Sequence, residues 1–272
     1  MWMRALMITL ISSAQISCGG SNWLAEGIEA QKSDARSEDL QLPESTAPTT
    51  KQTKSRRIVE EEDEQPLVPE TVARRIAVAA SEGKPLGTFR NTYYQFPSET
   101  EFSGELTSLF NAACEPIKSV PKGFHDAVCV QGSGLLSSGT TVSFAKRNCS
   151  CAAECPRTNQ HICFDVLDKE RFPWGRGATG KAITPLLTVA VDTDVIPLHT
   201  PIYVPEYDGV PRDASRSSVH DGCFIAQDRG LRVKGRHIDV FAGDQATGDL
   251  WNRLVPSNQG VSVIIDSPRC RR

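Results

Sequence analysis

Two stretches decide the fold of this chain: VAVDTDVIPLHTPIYV over residues 189–204 and HDGCFIAQDRGLRVKGRHIDVF over residues 220–241. Their runs of Val, Ile, Leu and Phe predict short, half-buried strands. Three acids, Asp192, Asp228 and Asp239, lie in these runs or at their ends. A buried carboxylate is costly unless it is paired, hydrogen-bonded or protonated. Three such acids on neighbouring strands are therefore most simply explained by chemistry, with turn caps and ordinary loop contacts as the alternative.

The rest of the folded region continues the pattern of short strands and turns. Strands are predicted at residues 88–96, 127–131, 139–146, 186–191, 202–204, 223–226, 238–241 and 260–265. We also predict a surface loop at 206–218, a helix at 70–83 and a short helix at 247–254 with Asp244 as its N-cap. Many short strands separated by turns favour a mainly β, small closed barrel over a parallel α/β sheet.

The composition divides the chain into a polar front and a more apolar remainder. The net charge of -3 gives no sign of electrostatic capture of nucleic acid. Residues 19–69 are rich in Ser, Thr, Glu, Gln, Lys and Pro, with the charge blocks KQTKSRR and EEEDE. Such a composition buries too little apolar surface to order itself. We therefore predict a disordered linker at 19–83, with the short helix near its end.

The first eighteen residues have the layout of an export signal. Arg4 provides a positive charge, a short apolar run follows, and Cys18 comes after small residues. Cys18 and the two glycines after it resemble a bacterial lipoprotein cleavage site, although Gln15 stands where Leu is usual. We predict lipidation of Cys18 and an outer-membrane-anchored lipoprotein that faces the periplasm. Plain secretion and a misread start are the alternatives.

The cysteine count points to disulfides. Of nine cysteines, eight remain if Cys18 is lipidated, and an even set in an exported chain indicates disulfide bonding. The connectivity stays open, with Cys114–Cys129 and Cys223–Cys270 as candidate pairs. A zinc site is the alternative for the cluster, but its spacing is not that of a zinc ribbon. The cluster consists of Cys149, Cys151, Cys155 and Cys163.

The segments AVDTDVIPLHTPIYVP and FIAQDRGLRVKGRHIDVF resemble the three-aspartate (3D) domain, and they are similar to the catalytic barrel of the membrane-bound lytic transglycosylase A family. The resemblance implies a six-stranded double-psi β-barrel at residues 84–272, with its core motif at 184–266 and a cysteine-rich insertion. The chain departs from the family pattern at three positions beside the acids: His199 replaces a usual Gly, and Arg229 and Leu231 replace a small hydroxyl residue and a second Gly.

The resemblance also implies an activity. In that family the acid that matches Asp239 is the catalytic acid, and cleavage between N-acetylmuramic acid and N-acetylglucosamine closes a 1,6-anhydro ring. Asp228 and Asp192 are then expected to orient the site and keep Asp239 protonated, since repulsion and burial raise the pKa of clustered carboxyls. No cofactor or metal is implied. The implied partners are peptidoglycan glycan strands and, through the lipid anchor, the membrane.

Three side chains outside the acids are candidate substrate contacts. Lys234 either binds substrate or balances the charge of the acids. Tyr94 and Trp174 either line a sugar-binding cleft or pack in the core, because aromatic side chains serve both roles. The alternatives for the whole chain are a non-catalytic glycan-binding or expansin-like module, a hydrolase that uses two carboxylates, and metal-dependent use of the acids.

Overall fold

The computed structural model describes residues 69–271, so the predicted signal peptide, the lipidation of Cys18 and most of the predicted linker lie outside the described residues. Within residues 69–271 the α-helices are α1 (Pro69–Glu82), α2 (Lys122–Gln131) and α3 (Gln245–Leu254). None of them is long and apolar enough to cross a membrane. The strands are β1 (Lys84–Gln95), β2 (Leu106–Phe110), β3 (Pro116–Pro121), β4 (Ser133–Leu135), β5 (Thr141–Lys146), β6 (Glu154–Cys155), β7 (Gln160–His161), β8 (Cys163–Leu167), β9 (Thr188–Val191), β10 (Pro201–Pro211), β11 (Val219–Asp228), β12 (His237–Gly243) and β13 (Val261–Ile265).

Six strands close into a barrel in the order β1-β12-β9-β11-β10-β13. Two neighbouring pairs are parallel, β1 with β12 and β9 with β11, and the other pairs are antiparallel. Closure removes the exposed edges that open sheets present. The predicted mainly β fold, a six-stranded double-psi barrel with a cysteine-rich insertion, is confirmed.

The barrel is filled by apolar side chains, and α3 packs against its strands β1 and β12. Trp251 of α3 is fully buried, stacks on Tyr207 with ring centroids 5.2 Å apart, and donates from Nε1 to the carbonyl of Pro211. The N-cap prediction for this helix is confirmed, because the Asp244 side chain accepts a hydrogen bond from the backbone N–H of Thr247. The helix is therefore fixed at its start by its cap and along its length by its buried face.

The insertion between β1 and β9 has a core of its own. It contains the β2–β3 hairpin, α2, the three-stranded sheet β4-β5-β8 and the short pair β6–β7. Phe124 and Val128 of α2 pack against Val142 and Phe164 of the sheet. Three disulfides join its parts, and they are Cys114–Cys151, Cys129–Cys155 and Cys149–Cys163.

The disulfide pairing corrects one sequence prediction and confirms another. The suggested Cys114–Cys129 pair is wrong, because Cys129 lies on the buried face of α2 and bonds to Cys155 of β6. The Cys223–Cys270 pair is present and ties β11 to the end of the chain. All four cysteines of the predicted cluster are in disulfides, whereas zinc requires free thiolates.

Two element predictions were wrong. Residues 127–131 are helix, not strand, because Phe124 and Val128 share one helix face and Gly132, at φ 83°, ends the helix in the left-handed region.

The predicted loop at 206–218 is shorter, because β10 continues to Pro211 and pairs with β11. Register shifts between β10 and β11 accommodate Gly209 and Pro211, two residue types that ordinarily signal a loop.

Candidate active site

The barrel topology brings Asp228 and Asp239 to opposite sides of Ala190. Strand β9 lies between β12 and β11, and Ala190 pairs with Asp239 on one side and with Asp228 on the other. Since neighbouring strands are about 5 Å apart, the Cα atoms of the two acids are roughly 10 Å apart. Both acids and Ala190 line one cavity of about 440 Å³, which opens between the barrel and the insertion.

Asp239 is a half-buried acid with one close hydrogen-bond donor. Thr92 of β1 lies beside it in the parallel register and donates from Oγ1 to Oδ1 over 2.6 Å. The pKa of Asp239 is raised to about 6: burial is the largest cause, the negative charge of Asp228 adds to it, and the Thr92 hydrogen bond and the charge of Arg90 oppose it. A carboxyl with such a pKa is partly protonated near neutral pH and is able both to donate and to accept a proton.

Asp228 is held in place by three donors. Its Oδ1 accepts from the backbone N–H groups of Arg229 (2.8 Å) and Ala178 (3.1 Å), and its Oδ2 accepts from the Tyr94 hydroxyl (3.0 Å). Burial raises the pKa of Asp228, and the three donors oppose this because they favour the carboxylate. The pKa of Tyr94 is raised well above 10 by burial and by the two acids, so its hydroxyl stays a donor.

Asp192, the third predicted acid, has a different position. Its carboxylate accepts from the backbone N–H of Gly235 over 2.7 Å and from that of Asp194 over 3.3 Å. These hydrogen bonds, with the Lys234 ammonium 3.9 Å away, lower the pKa of Asp192. Asp192 is not among the described residues that line the cavity. Asp192 therefore fixes the turn between β11 and β12 at Gly235, which lies four residues ahead of Asp239.

The three predicted substrate contacts differ in whether they line the cavity. Tyr94 lines the cavity with the acids, as a sugar-cleft position would require. Trp174 instead packs edge-on against Phe96 and Phe241, with ring centroids 5.5 and 6.2 Å away, and is not among the described lining residues. Lys234 lies outside the lining as well, with 68% of its side chain exposed. The Trp174 ring thus takes part in aromatic packing, which is one of its two predicted roles, and its stacking on a sugar stays a prediction.

Thr92 was missed by the sequence reasoning. A signal was present, because Thr92 is two residues before Tyr94 on β1 and strand residues two apart share a face. The hydroxyl of Thr92 also lies 2.8 Å from Nε2 of His237, so Asp239, Thr92 and His237 form a hydrogen-bonded row. The cavity arginines were missed too, and they are scattered between residues 147 and 232.

The departures from the family pattern have clear structural positions. Arg229 keeps a donor on Asp228 through its backbone, while its side chain and that of Leu231 line the cavity. His199 adopts φ 69°, in the left-handed region that Gly ordinarily occupies. Of these three residues, Arg229 and Leu231 therefore form part of the cavity surface around the acids.

Comparison with known proteins shows what the chain is similar to. No curated protein matches the chain. It is similar to Escherichia coli MltA solved with bound chitohexaose (16% identity, 66% of this chain and 71% of that chain, TM-score 0.47) and to a membrane-bound lytic murein transglycosylase from Agrobacterium tumefaciens (12%, 67% and 74%, TM-score 0.43). Neisseria gonorrhoeae MltA shares 18% identity over 56% of this chain and 44% of that one, with a TM-score of 0.38. Residues 187–253 match the family model of the 3D domain. The chain therefore contains a 3D domain, and this domain carries all three of the acids described above.

Proposed function

We propose that this protein is a peptidoglycan lytic transglycosylase. The observation that carries the proposal is the half-buried Asp239 of the 3D domain, which lines a cavity and has its pKa raised to about 6. A general acid works best when its pKa lies near the operating pH. The resemblance of the motif to lytic transglycosylases supplies the substrate, the bond between N-acetylmuramic acid and N-acetylglucosamine.

The reaction uses one residue twice. Protonated Asp239 donates its proton to the glycosidic oxygen as the C1–O bond breaks, and the leaving N-acetylglucosamine departs with a hydroxyl. The resulting carboxylate then accepts the proton of the muramyl C6 hydroxyl, whose oxygen bonds to C1 and closes the 1,6-anhydro ring. No water is consumed and Asp239 ends protonated, so the protons balance.

The neighbouring groups support this cycle in different ways. Asp228, held by Tyr94 and two backbone N–H groups, places negative charge beside the oxocarbenium-like carbon. Thr92 orients the Asp239 carboxylate. Asp192 acts at a distance, because it holds the turn that precedes Asp239. Lys234 is proposed to balance Asp192 rather than to contact substrate.

Export to the cell envelope belongs to the same proposal. The four disulfides favour an oxidising compartment, where peptidoglycan is also found. Lipidation of Cys18 would tether the domain to the outer membrane. Mass spectrometry of the mature N-terminus tests this directly, because a diacylglyceryl group on Cys18 has a defined mass and an unmodified or absent Cys18 contradicts the anchor.

Digestion of purified sacculi tests the activity. We expect wild-type protein to release muropeptides with 1,6-anhydro ends, identified by mass spectrometry, and Asp239→Asn to release none. Reducing ends would instead identify a hydrolase, and binding without release would identify a glycan-binding module. Loss of activity on chelation would indicate metal-dependent use of the acids. Full lytic activity of Asp239→Asn would show that the acid is misassigned.

A further inference from the structure

The cavity that holds the two acids has a strongly cationic wall. Its lining includes five arginines and two aspartates, and the other described lining residues are uncharged. The arginines are Arg147, Arg157, Arg176, Arg229 and Arg232. Arginine side chains stay charged at all physiological pH values. Even with both aspartates ionised, the positive charges outnumber the negative ones by three. When Asp239, whose pKa is about 6, is protonated, the excess of positive over negative charges is larger still.

Four of these five charges form no ion pair with a carboxylate of the described residues, although the charge of Arg229 acts on Asp228 and lowers its pKa. Among the ion pairs of the described residues, Arg176 is the one member of the cluster that is paired, with the carboxylate of Asp165. The guanidinium of Arg232 donates to the backbone carbonyl of Arg157, which leaves its charge uncompensated. The guanidinium of Arg147 lies 4.9 Å from the ring centroid of Phe144, which orients the group without neutralising it.

The cluster is built from both sides of the cavity. Arg147, Arg157 and Arg176 come from the insertion and the loop after it, whereas Arg229 and Arg232 follow Asp228 in the β11–β12 turn. The hydrogen bond from Arg232 to the backbone of Arg157 joins the two sides. A chain that reaches the acids from this side therefore passes between guanidinium groups on two walls.

We propose that this arginine cluster binds the carboxylates of the peptide stems that peptidoglycan glycan carries. Guanidinium groups pair with carboxylates through two parallel hydrogen bonds, whereas neutral sugars offer hydroxyls and amides that gain little from excess positive charge. The stems hang from the muramyl residue, next to the bond that Asp239 is proposed to cleave. The cavity then selects peptide-bearing glycan over bare glycan. This inference rests on the proposed function for its substrate.

Binding to a catalytically disabled protein tests the inference without turnover. In the full-length Asp239→Asn protein, calorimetry compares three glycans of equal length: chitohexaose, which is neutral, amidase-treated glycan, which keeps its lactyl carboxylates, and glycan with intact stems. We expect affinity to rise in that order, with about a tenfold difference between the first and the last. The difference should shrink at about 0.5 M NaCl, where screening is strong.

Single Arg147→Gln and Arg157→Gln substitutions in the same background should each lower affinity for the stem-bearing glycan about threefold to tenfold and leave chitohexaose binding unchanged. Arg253→Gln is the matched control, since Arg253 is exposed on α3 and does not line the cavity. Equal affinity for all three glycans, or an equal effect of Arg253→Gln, would overturn the inference. If the glycan preference is absent but wild-type protein still releases anhydro ends from sacculi, the proposed function stands and the arginine inference fails. If the preference for stem-bearing glycan holds but no anhydro ends form, the arginine site stands and the proposed function fails.

Discussion

Thr92 donates a 2.6 Å hydrogen bond to Oδ1 of Asp239, although 147 residues separate the two in the chain. The parallel pairing of β1 with β12 sets them side by side. This hydrogen bond favours the carboxylate, whereas burial favours the protonated acid, and these are the two largest of the effects that set the pKa of Asp239 to about 6. A residue of β1, the strand before the insertion, thus lowers the pKa of an acid in β12, a strand after the insertion.

Thr92→Val should shift the pH dependence of activity. Without the hydrogen bond, the charge of Arg90 is the remaining effect that lowers the pKa of Asp239, so this pKa rises and the acid stays protonated to a higher pH. We expect the alkaline limb of kcat/KM to move up by about 0.5–1 pH unit, since about 1.4 kcal/mol corresponds to one unit. Thr88→Val, at an exposed position of the same strand, is the control. An unmoved limb would mean that Thr92 does not act on the acid.

Asp239→Asn should stabilise the fold at neutral pH. Between pH 3.8, the ordinary pKa of an aspartate, and about 6, the folded protein retains a proton that the unfolded chain releases. The free energy of unfolding of the wild type therefore falls as the pH rises through this window. Asn has no such penalty, so the variant should gain about 1–3 kcal/mol at pH 7 and nothing at pH 3.5. Urea unfolding at the two pH values measures the difference, and a gain that does not depend on pH would contradict the linkage.

The separate position of Asp192 predicts a weaker effect on activity. Asp192→Asn keeps an oxygen that can accept from Gly235 N–H but loses the charge next to Lys234. We expect kcat/KM to fall about tenfold or less, against about a thousandfold or more for Asp239→Asn. Asp192→Asn should also leave the alkaline limb where it is. Equal losses in the two variants would place Asp192 in the chemistry and not in the turn.

Much of the barrel could be predicted because its strands carry their signals locally. The runs at β9, β12 and β13 are short, apolar and bounded by turns, and Asp244 marks the start of α3. The insertion was harder. Its α2 is short and its AVCVQ end resembles a strand, so the helix is stabilised by packing of Phe124 and by the Cys129–Cys155 bond rather than by a strong pattern.

The candidate site, like the fold, could be predicted from the sequence only in part. Sequence spacing identified Asp228 and Asp239, which the structure places in one cavity, but it also grouped Asp192 with them. The carboxylate of Asp192 is directed to the turn by the N–H of Gly235, a contact that depends on how the β11–β12 turn closes. The cationic wall depends on long-range packing of the insertion against that turn, and local sequence does not report such a contact.

The turn at His199 offers a test of a departure from the family pattern. His199 sits at φ 69°, while its N–H donates to the carbonyl of Ala226 over 2.7 Å, so the fold holds a side chain in a conformation that suits Gly. His199→Gly removes the clash of Cβ with the backbone and should raise the free energy of unfolding by about 0.5–1 kcal/mol. His199→Ala is the matched control, because it removes the imidazole and keeps the strained Cβ. Thermal unfolding separates the two: a gain in the Gly variant alone assigns the strain to the backbone, whereas equal gains would assign it to the imidazole and contradict the prediction.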